Sequence, residues 1–228
     1  MKILAFDTSS KTMSVALLEE EYLLASMTLN IKKNHSVSLM PAIDFLLKSA
    51  DLKPADLDRI VVAEGPGSYT GLRVAVATAK TLAYALAIDL VGVSSLQALA
   101  LSSHSKGLVI PIMDARRRNV YVGFYENGRA VEADRHAALA AVLEHLKGRE
   151  QVTFVGEVAV FRQEISQAFP EAKVQEVLPS AFKIGQAGQK LAPVDVHSFV
   201  PKYLKRVEAE ENWLKTHKES GLAYIKRV

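Results

Sequence analysis

Gly65-Pro66-Gly67-Ser68-Tyr69-Thr70-Gly71 stands between Arg59-Ile60-Val61-Val62-Ala63 and a small-residue run over Leu72–Ala87. The residues before it are short, apolar and β-branched, which reads as a buried parallel strand. The run after it reads as a helix. The glycines permit positive φ or close backbone approach, and Pro66 stiffens the entry. Such a loop ahead of a helix N-terminus points amide hydrogens at whatever lies above it, which suits an anion. It is neither a Walker motif nor a G-x-G-x-x-G fingerprint, because no Lys-Ser/Thr pair follows and the glycine spacing differs. From the residues alone, Gly65, Gly67 and Gly71 serve either a phosphate or a tight structural turn.

In the helix that follows, Ala75, Ala79 and Ala83 recur every four residues, with Val76 and Leu86 alongside. A face this flat admits close approach of another helix. Upstream, Val37, Met40, Ile43, Leu47 and Ala50, with Leu39 and Leu46, repeat at helical spacing. Pro41 is tolerated in a first turn, so this helix is expected to start near Ser36 or Ser38 and to run to residue 50. Packing on the sheet is the simple use of both faces. One thin lobe does not cover two such stripes fully, however, so a protein–protein interface is expected. Its residues are His35, Leu39, Ile43, Leu46, Leu72, Ala75, Val76, Ala79 and Ala83.

Around this centre the chain predicts an α/β fold. Lys2–Phe6, Met13–Leu18 and Tyr22–Leu29 form an antiparallel meander, and Leu90–Val93 is a further strand. Ser94 or Ser95 caps a helix over Leu96–Leu101. The second half repeats the element order. Strands Leu108–Met113, Asn119–Tyr125 and Arg129–Glu132 are followed by helix Ala137–Lys147, strand Val152–Val155, helix Phe161–Phe169, strand Lys173–Val177 and helix Ala181–Leu191. Asn127-Gly128 is a hairpin-turn dipeptide. Two similar lobes are expected, 1–105 and 106–200, each on a mixed sheet. A basic tail, 201–228, follows them, with a helix over 207–218 that can return to the first lobe.

The 228 residues allow one large domain or two small ones, and 49% apolar with 23% charged residues is an ordinary globular composition. There is no cysteine, which removes disulfides, thiolate metal sites and cysteine nucleophiles. Lys2 runs into Asp7 without an apolar signal region, and no apolar stretch reaches the roughly 18 residues of a membrane helix. A cytoplasmic protein with no membrane contact is expected. The net charge of +3 lies wholly in residues 201–228, with seven Lys/Arg against four Asp/Glu. Interspersed acids and bases there read as a solvated helix, with RNA phosphate contact as the alternative.

Candidates for chemistry are few. The six histidines show no H-x-x-x-H or H-E-x-x-H spacing, and there is no G-x-S-x-G elbow. His35 reads as a cap or partner contact. Asp7, at the end of the first strand, suits a metal or water, or simply the backbone of Thr8-Ser9-Ser10. Asp114-Ala115-Arg116-Arg117-Arg118 reads as an ion-pair turn or a weak RNA patch.

Taken in order, five segments resemble the TsaB family of tRNA threonylcarbamoyladenosine biosynthesis. They are Ile3–Ser9, His35-Ser36 with Leu39 and Pro41, Gly65–Arg73, Asp114–Arg117 and Pro201-Lys202-Tyr203-Leu204. The likeness spans essentially the whole chain. It implies two duplicated lobes of the actin, sugar-kinase and Hsp70 type (ribonuclease H-like), with mixed five-stranded sheets. It also implies a role in placing a threonylcarbamoyl group on the adenosine next to the anticodon.

In that system the transferase is the related TsaD, which carries a metal-binding H-x-x-x-H. The matching positions here are Ser95 and Leu99, so no metal and no catalytic residue is expected. Nucleotide-binding members of the fold carry glycine in the first loop, whereas this chain has Asp7-Thr8-Ser9-Ser10. Asp7, Thr8, Ser9 and Gly156 are therefore candidates for weak nucleotide contact only, and no resident cofactor is expected. The resemblance implies a TsaD heterodimer, the ATPase TsaE in a larger complex, a homodimer when alone, and at most indirect tRNA contact. The alternatives are a metal-dependent peptidase or transferase in its own right, or a nucleotide-switched module.

Overall fold

The computed structural model describes residues 1–31 and 34–205. Strand β1 (Lys2–Asp7) is apolar through its centre because neighbours flank it on both sides and helices cover both its faces. It pairs antiparallel with β2 (Met13–Glu19), which pairs antiparallel with β3 (Tyr22–Leu29). On its other side it pairs parallel with β4 (Arg59–Gly65), and β4 pairs parallel with β5 (Asp89–Ser94). The first sheet therefore runs β3-β2-β1-β4-β5.

The second sheet repeats this topology. Strand β6 (Leu108–Asp114) pairs antiparallel with β7 (Asn119–Glu126), and β7 with β8 (Arg129–Ala138). Strands β9 (Val152–Gly156) and β10 (Lys173–Gln175) add in parallel, giving β8-β7-β6-β9-β10. The third strand is longer than expected. It runs on through Asp134 and Arg135 to Ala138 because an edge strand tolerates charged side chains on its open side.

Helices α1 (His35–Ser49) and α2 (Tyr69–Leu86) cover one face of the first sheet. Asn34 caps α1, its side chain accepting from the Ser36 amide at 3.1 Å. Pro41 lies in the second turn, inside the helix rather than at its start. The carbonyl it leaves without an amide partner belongs to Val37, which is 70% exposed and so open to water.

Leu39, Ile43, Leu46, Ala75, Val76, Ala79 and Ala83 point into the first core, Leu72 is buried against Gly65, and all eight are at most 3% exposed. This corrects their expected place at a partner interface. The alanine stripe does permit close approach, but what approaches is the chain's own sheet.

The opposite face is covered by α6 (Ala181–Gly188), whose Ala181 and Ile184 pack with Ile3, Ala5, Val61 and Val91. Residues 181–200 thus belong with the first sheet, against the expected 106–200 lobe. The tie is specific. The buried Arg59 donates from Nη1 to the carbonyls of Gly188, Gln189 and Leu191 at 3.0–3.1 Å, and from Nη2 to Asp89 at 2.7 Å. Phe199 then joins the first core.

Helix α3 (Ser95–Leu101), capped by Ser94, packs in turn against the second sheet at Val109, Met113, Tyr125 and Val155. Helices α4 (Leu139–His145) and α5 (Arg162–Ala168) complete that lobe. The tail helix expected over 207–218 lies outside the described residues.

Replacing Arg59 by methionine leaves three helix-end carbonyls and Asp89 without their donor. We expect a loss of about 3 kcal/mol in unfolding free energy by chemical denaturation. Arg118→Met removes an exposed pair with Glu164 and should stay within about 0.5 kcal/mol. Equal losses in the two variants would refute the assignment.

Candidate functional site

Adjacent parallel strands β1 and β4 release their loops at the same end of the sheet, and α2 begins where the loops meet. The Ser68 amide donates to the Ser9 carbonyl at 2.6 Å, and the Thr8 hydroxyl donates to the Gly71 carbonyl at 2.8 Å. A Cβ at Gly67 or Gly71 would overlap the carbonyl oxygen of Ser9 or Thr8 respectively. Close approach, rather than a ligand, explains these two glycines. Gly65 lies against the Lys202 carbonyl, and the Gly65–Pro66 peptide bond is cis.

A nucleotide-phosphate loop needs amides pointing outward. Here the Ser9 amide donates to Asp7 Oδ1 at 2.6 Å, and the Thr12 amide to the Ser10 hydroxyl at 3.1 Å. His35 Nε2 lies 2.8 Å from the Ser10 carbonyl. His35 is thus neither the cap of α1 nor on its outward face, but is turned onto the first loop. These residues do not fit a tight phosphate cradle.

Between the lobes opens a cleft of about 860 Å³. Ser9, Ser10, Lys11 and His35 line one wall, and Asp114, Arg116, Gly156 and Glu157 the other. Asp7 and Thr8 are fully buried. Two of the four nucleotide candidates therefore reach the cleft.

On the far wall Arg116, Arg117 and Arg118 all take left-handed backbone conformations, with φ of 69, 54 and 58°. The turn is held by the Arg116 amide on Asp114 Oδ1 at 2.8 Å and by the Asn119 side chain on the Arg116 and Arg117 carbonyls. Arg116 pairs with Asp114 at 3.3 Å and Arg118 with Glu164 at 2.9 Å.

On α3, Ser95 and Leu99 are both buried, and the Ser95 hydroxyl has no partner. Leu99 reaches the cleft beside Gly156. Among the described residues no three His, Asp or Glu side chains converge as a metal site.

Sequence reasoning missed two features. At the joint between the lobes, Asp134 on β8 accepts from the Ser94 hydroxyl and, at 2.8 Å, from the Tyr125 hydroxyl. Burial and the Asp134 charge push the Tyr125 phenol above its usual range. Glu64, nearby on β4, is also raised, chiefly by burial. No local pattern announces a cluster drawn from four strands.

The second feature is the outward side of α1. Val37, Met40 and Phe45 are 70%, 46% and 58% exposed. Val37 and Met40 belong to the same periodic run as the core residues, and Phe45 lies outside it. Their signal was the excess of apolar positions over what one stripe needs.

Asp7 Oδ2 has no hydrogen-bond partner, and burial pushes this carboxyl above its ordinary range against the opposing pull of Ser9 and His35. With the folded pKa raised, the stability this group contributes is present below the ordinary carboxylate pKa and is lost as pH rises toward the folded value. Asp7→Asn should therefore raise the melting temperature more at pH 7 than at pH 3.5. An equal gain at both values would show that the charge is not the cause.

The sequence matches the family described as TsaD, tRNA N6-adenosine threonylcarbamoyltransferase, over residues 23–213. The tRNA threonylcarbamoyladenosine biosynthesis protein TsaB of Bacillus subtilis is 43% identical, over 96% of this chain and 100% of that protein. Among solved structures, YeaZ from Pseudomonas aeruginosa superposes with a TM-score of 0.76 at 28% identity, over 89% of this chain and 99% of that one.

At the level of fold alone, the activator of 2-hydroxyisocaproyl-CoA dehydratase from Clostridium difficile superposes with a TM-score of 0.52 at 11% identity, covering 86% of this chain and 100% of that one. The two five-stranded mixed sheets are those of the actin and sugar-kinase fold. A family match over most of its length, and a relative at 43% identity along the whole of that relative, place the chain in the TsaB family of tRNA threonylcarbamoyladenosine biosynthesis.

Proposed function

We propose that this chain is a non-catalytic cytoplasmic partner of the transferase TsaD. In this role it supports transfer of the threonylcarbamoyl group to the adenosine next to the anticodon. The observation that carries the reading is the outward face of α1. Val37, Met40 and Phe45 stand in water around the side of the helix turned from the sheet, while the inward stripe of the same helix is fully used by the core.

The outer side of α2 extends this surface with Ala77, Thr81 and Tyr84. Small residues among larger ones let a helix of the partner lie close. When alone, the chain pairs with itself through the same face, and the ATPase TsaE joins the larger complex. Two observations favour a partner over an enzyme. Leucine at position 99 offers no ligand to a metal, and the first loop spends amides on its own side chains.

Substitutions of the inward residues, such as Ile43→Glu or Ala79→Arg, disrupt the core and do not test the interface. Phe45→Glu combined with Met40→Arg does. We expect the double variant to keep its melting temperature within a few degrees and to weaken the TsaD heterodimer at least about thirtyfold. Size-exclusion chromatography with purified TsaD reads this directly. An intact heterodimer at micromolar concentration sinks the interface. A reconstituted tRNA-modification assay omitting this protein alone tests the role, and undiminished product would refute it.

A further inference from the structure

Tyr69 in the first turn of α2, Arg73 one turn on, and Tyr203 in the C-terminal segment form a stack on the protein surface. The Arg73 guanidinium lies 4.1 Å from the centre of the Tyr69 ring, and its Nε donates to the Tyr203 hydroxyl at 3.3 Å. The two rings are 5.2 Å apart and tilted by 33°. Both tyrosines keep about two-fifths of their surface in water, at 41% and 42% exposed. Neither belongs to a core cluster.

The stack is anchored from behind. The Lys202 amide donates to the Glu64 carbonyl at 2.7 Å, and the Lys202 carbonyl lies against Gly65. The aromatic faces are therefore presented in a fixed position.

Further cations lie nearby in the chain and along the cleft. Lys202 adjoins Tyr203 in the chain. Lys205 and Lys11 line the mouth of the cleft together with Ser68 and Thr70, the neighbours of Tyr69. Among the described residues, none of Arg73, Lys11, Lys202 and Lys205 forms an ion pair with a carboxylate. Lys202 opposes the burial-driven rise of the Glu64 carboxyl without an ion pair to it, and Asp114 across the cleft is already paired with Arg116. The whole positive excess of the sequence lies in residues 201–228, which start at this patch.

Exposed aromatic rings beside cations that have no carboxylate ion pair match unpaired nucleotides. Every base has a π-face to stack on a tyrosine, and every linkage carries a phosphate for a lysine or arginine. An acidic protein segment would satisfy the cations but make no use of two exposed rings. We propose that Tyr69, Arg73, Lys202, Tyr203 and Lys205 form a contact site for unpaired nucleotides of the tRNA, so that this chain touches the RNA directly rather than only through its partner. The inference rests on the tRNA-modification role proposed above.

The test uses the full chain in complex with TsaD and labelled unmodified tRNA, read by fluorescence anisotropy across a salt series. A single-stranded RNA and the same strand in a duplex serve as comparison probes. Tyr203→Leu and Tyr69→Leu should each weaken binding of tRNA and of the single strand at least about fivefold, with little effect on the duplex. Tyr203→Phe keeps the ring and should bind within about twofold of the parent. The paired change Lys202→Gln and Lys205→Gln should lower the slope of log affinity against log salt by about 1.4.

The proposal is overturned if both leucine variants bind RNA like the parent. It is also overturned if the phenylalanine variant loses as much as the leucine one, or if the salt slope is unchanged. RNA binding that is indifferent to these changes in an intact, active heterodimer refutes this site and leaves the partner role standing. Failure of the parent chain to join TsaD refutes the partner role instead.

Discussion

The Ser68 amide and the Ser9 carbonyl meet at 2.6 Å where two neighbouring parallel strands, β1 and β4, leave the first sheet. Two loops compete there for one volume, and side chains at positions 67 and 71 would close it. Glycine resolves the competition, and the Thr8 hydroxyl seals it from the other side. The axis of α2 follows from this clasp, and α1 packs beside α2 over the same core. What the molecule presents outward along both helices is thus set by a few hydrogen bonds at their base. The same clasp consumes the polar groups that a nucleotide would need from the first loop.

Seen this way, the fold has kept the frame of the actin and sugar-kinase architecture while the ends of its strands have turned inward for support. Leu99 at the cleft floor and His35 on the Ser10 carbonyl are packing and bracing elements. The polar cluster of Ser94, Tyr125 and Asp134 joins the edge of one sheet to the edge of the other. The Asp7 carboxyl is raised by desolvation beneath the clasp.

Much of the architecture was legible because its signals are local. Apolar runs broken by Asp, Gly and Ser mark the strands, and the duplicated order of elements reveals two sheets of one topology. Orientation was not legible. Helix α1 carries apolar residues around more than half its circumference, and periodicity alone does not say which stripe meets the sheet. Leu39 and Ile43 went inward, while Val37 and Phe45 stayed in water. The alanine stripe of α2 correctly announced a close neighbour without naming it. The placement of α6 depends on Arg59 reaching carbonyls about 130 residues away, and no local pattern encodes such a contact. The stack of Tyr69, Arg73 and Tyr203 was hidden for the same reason, since two of its members are near in sequence and the third is far.

The exchange of helices between the halves bears on how the chain is made. The second sheet takes α3 from just ahead of it, so everything it needs lies in one unbroken stretch from about residue 95 to 180. The first sheet has to wait for α6 and Phe199, which arrive from the other end of the chain. During vectorial synthesis the usual N-terminal-first order is therefore inverted. The half made second can finish first, and the half made first stays open on one face until residues 181–199 have emerged. Its contacts are the long-range ones that slow folding, so a nascent chain spends its longest exposure with the apolar face of β1 and β4 uncovered.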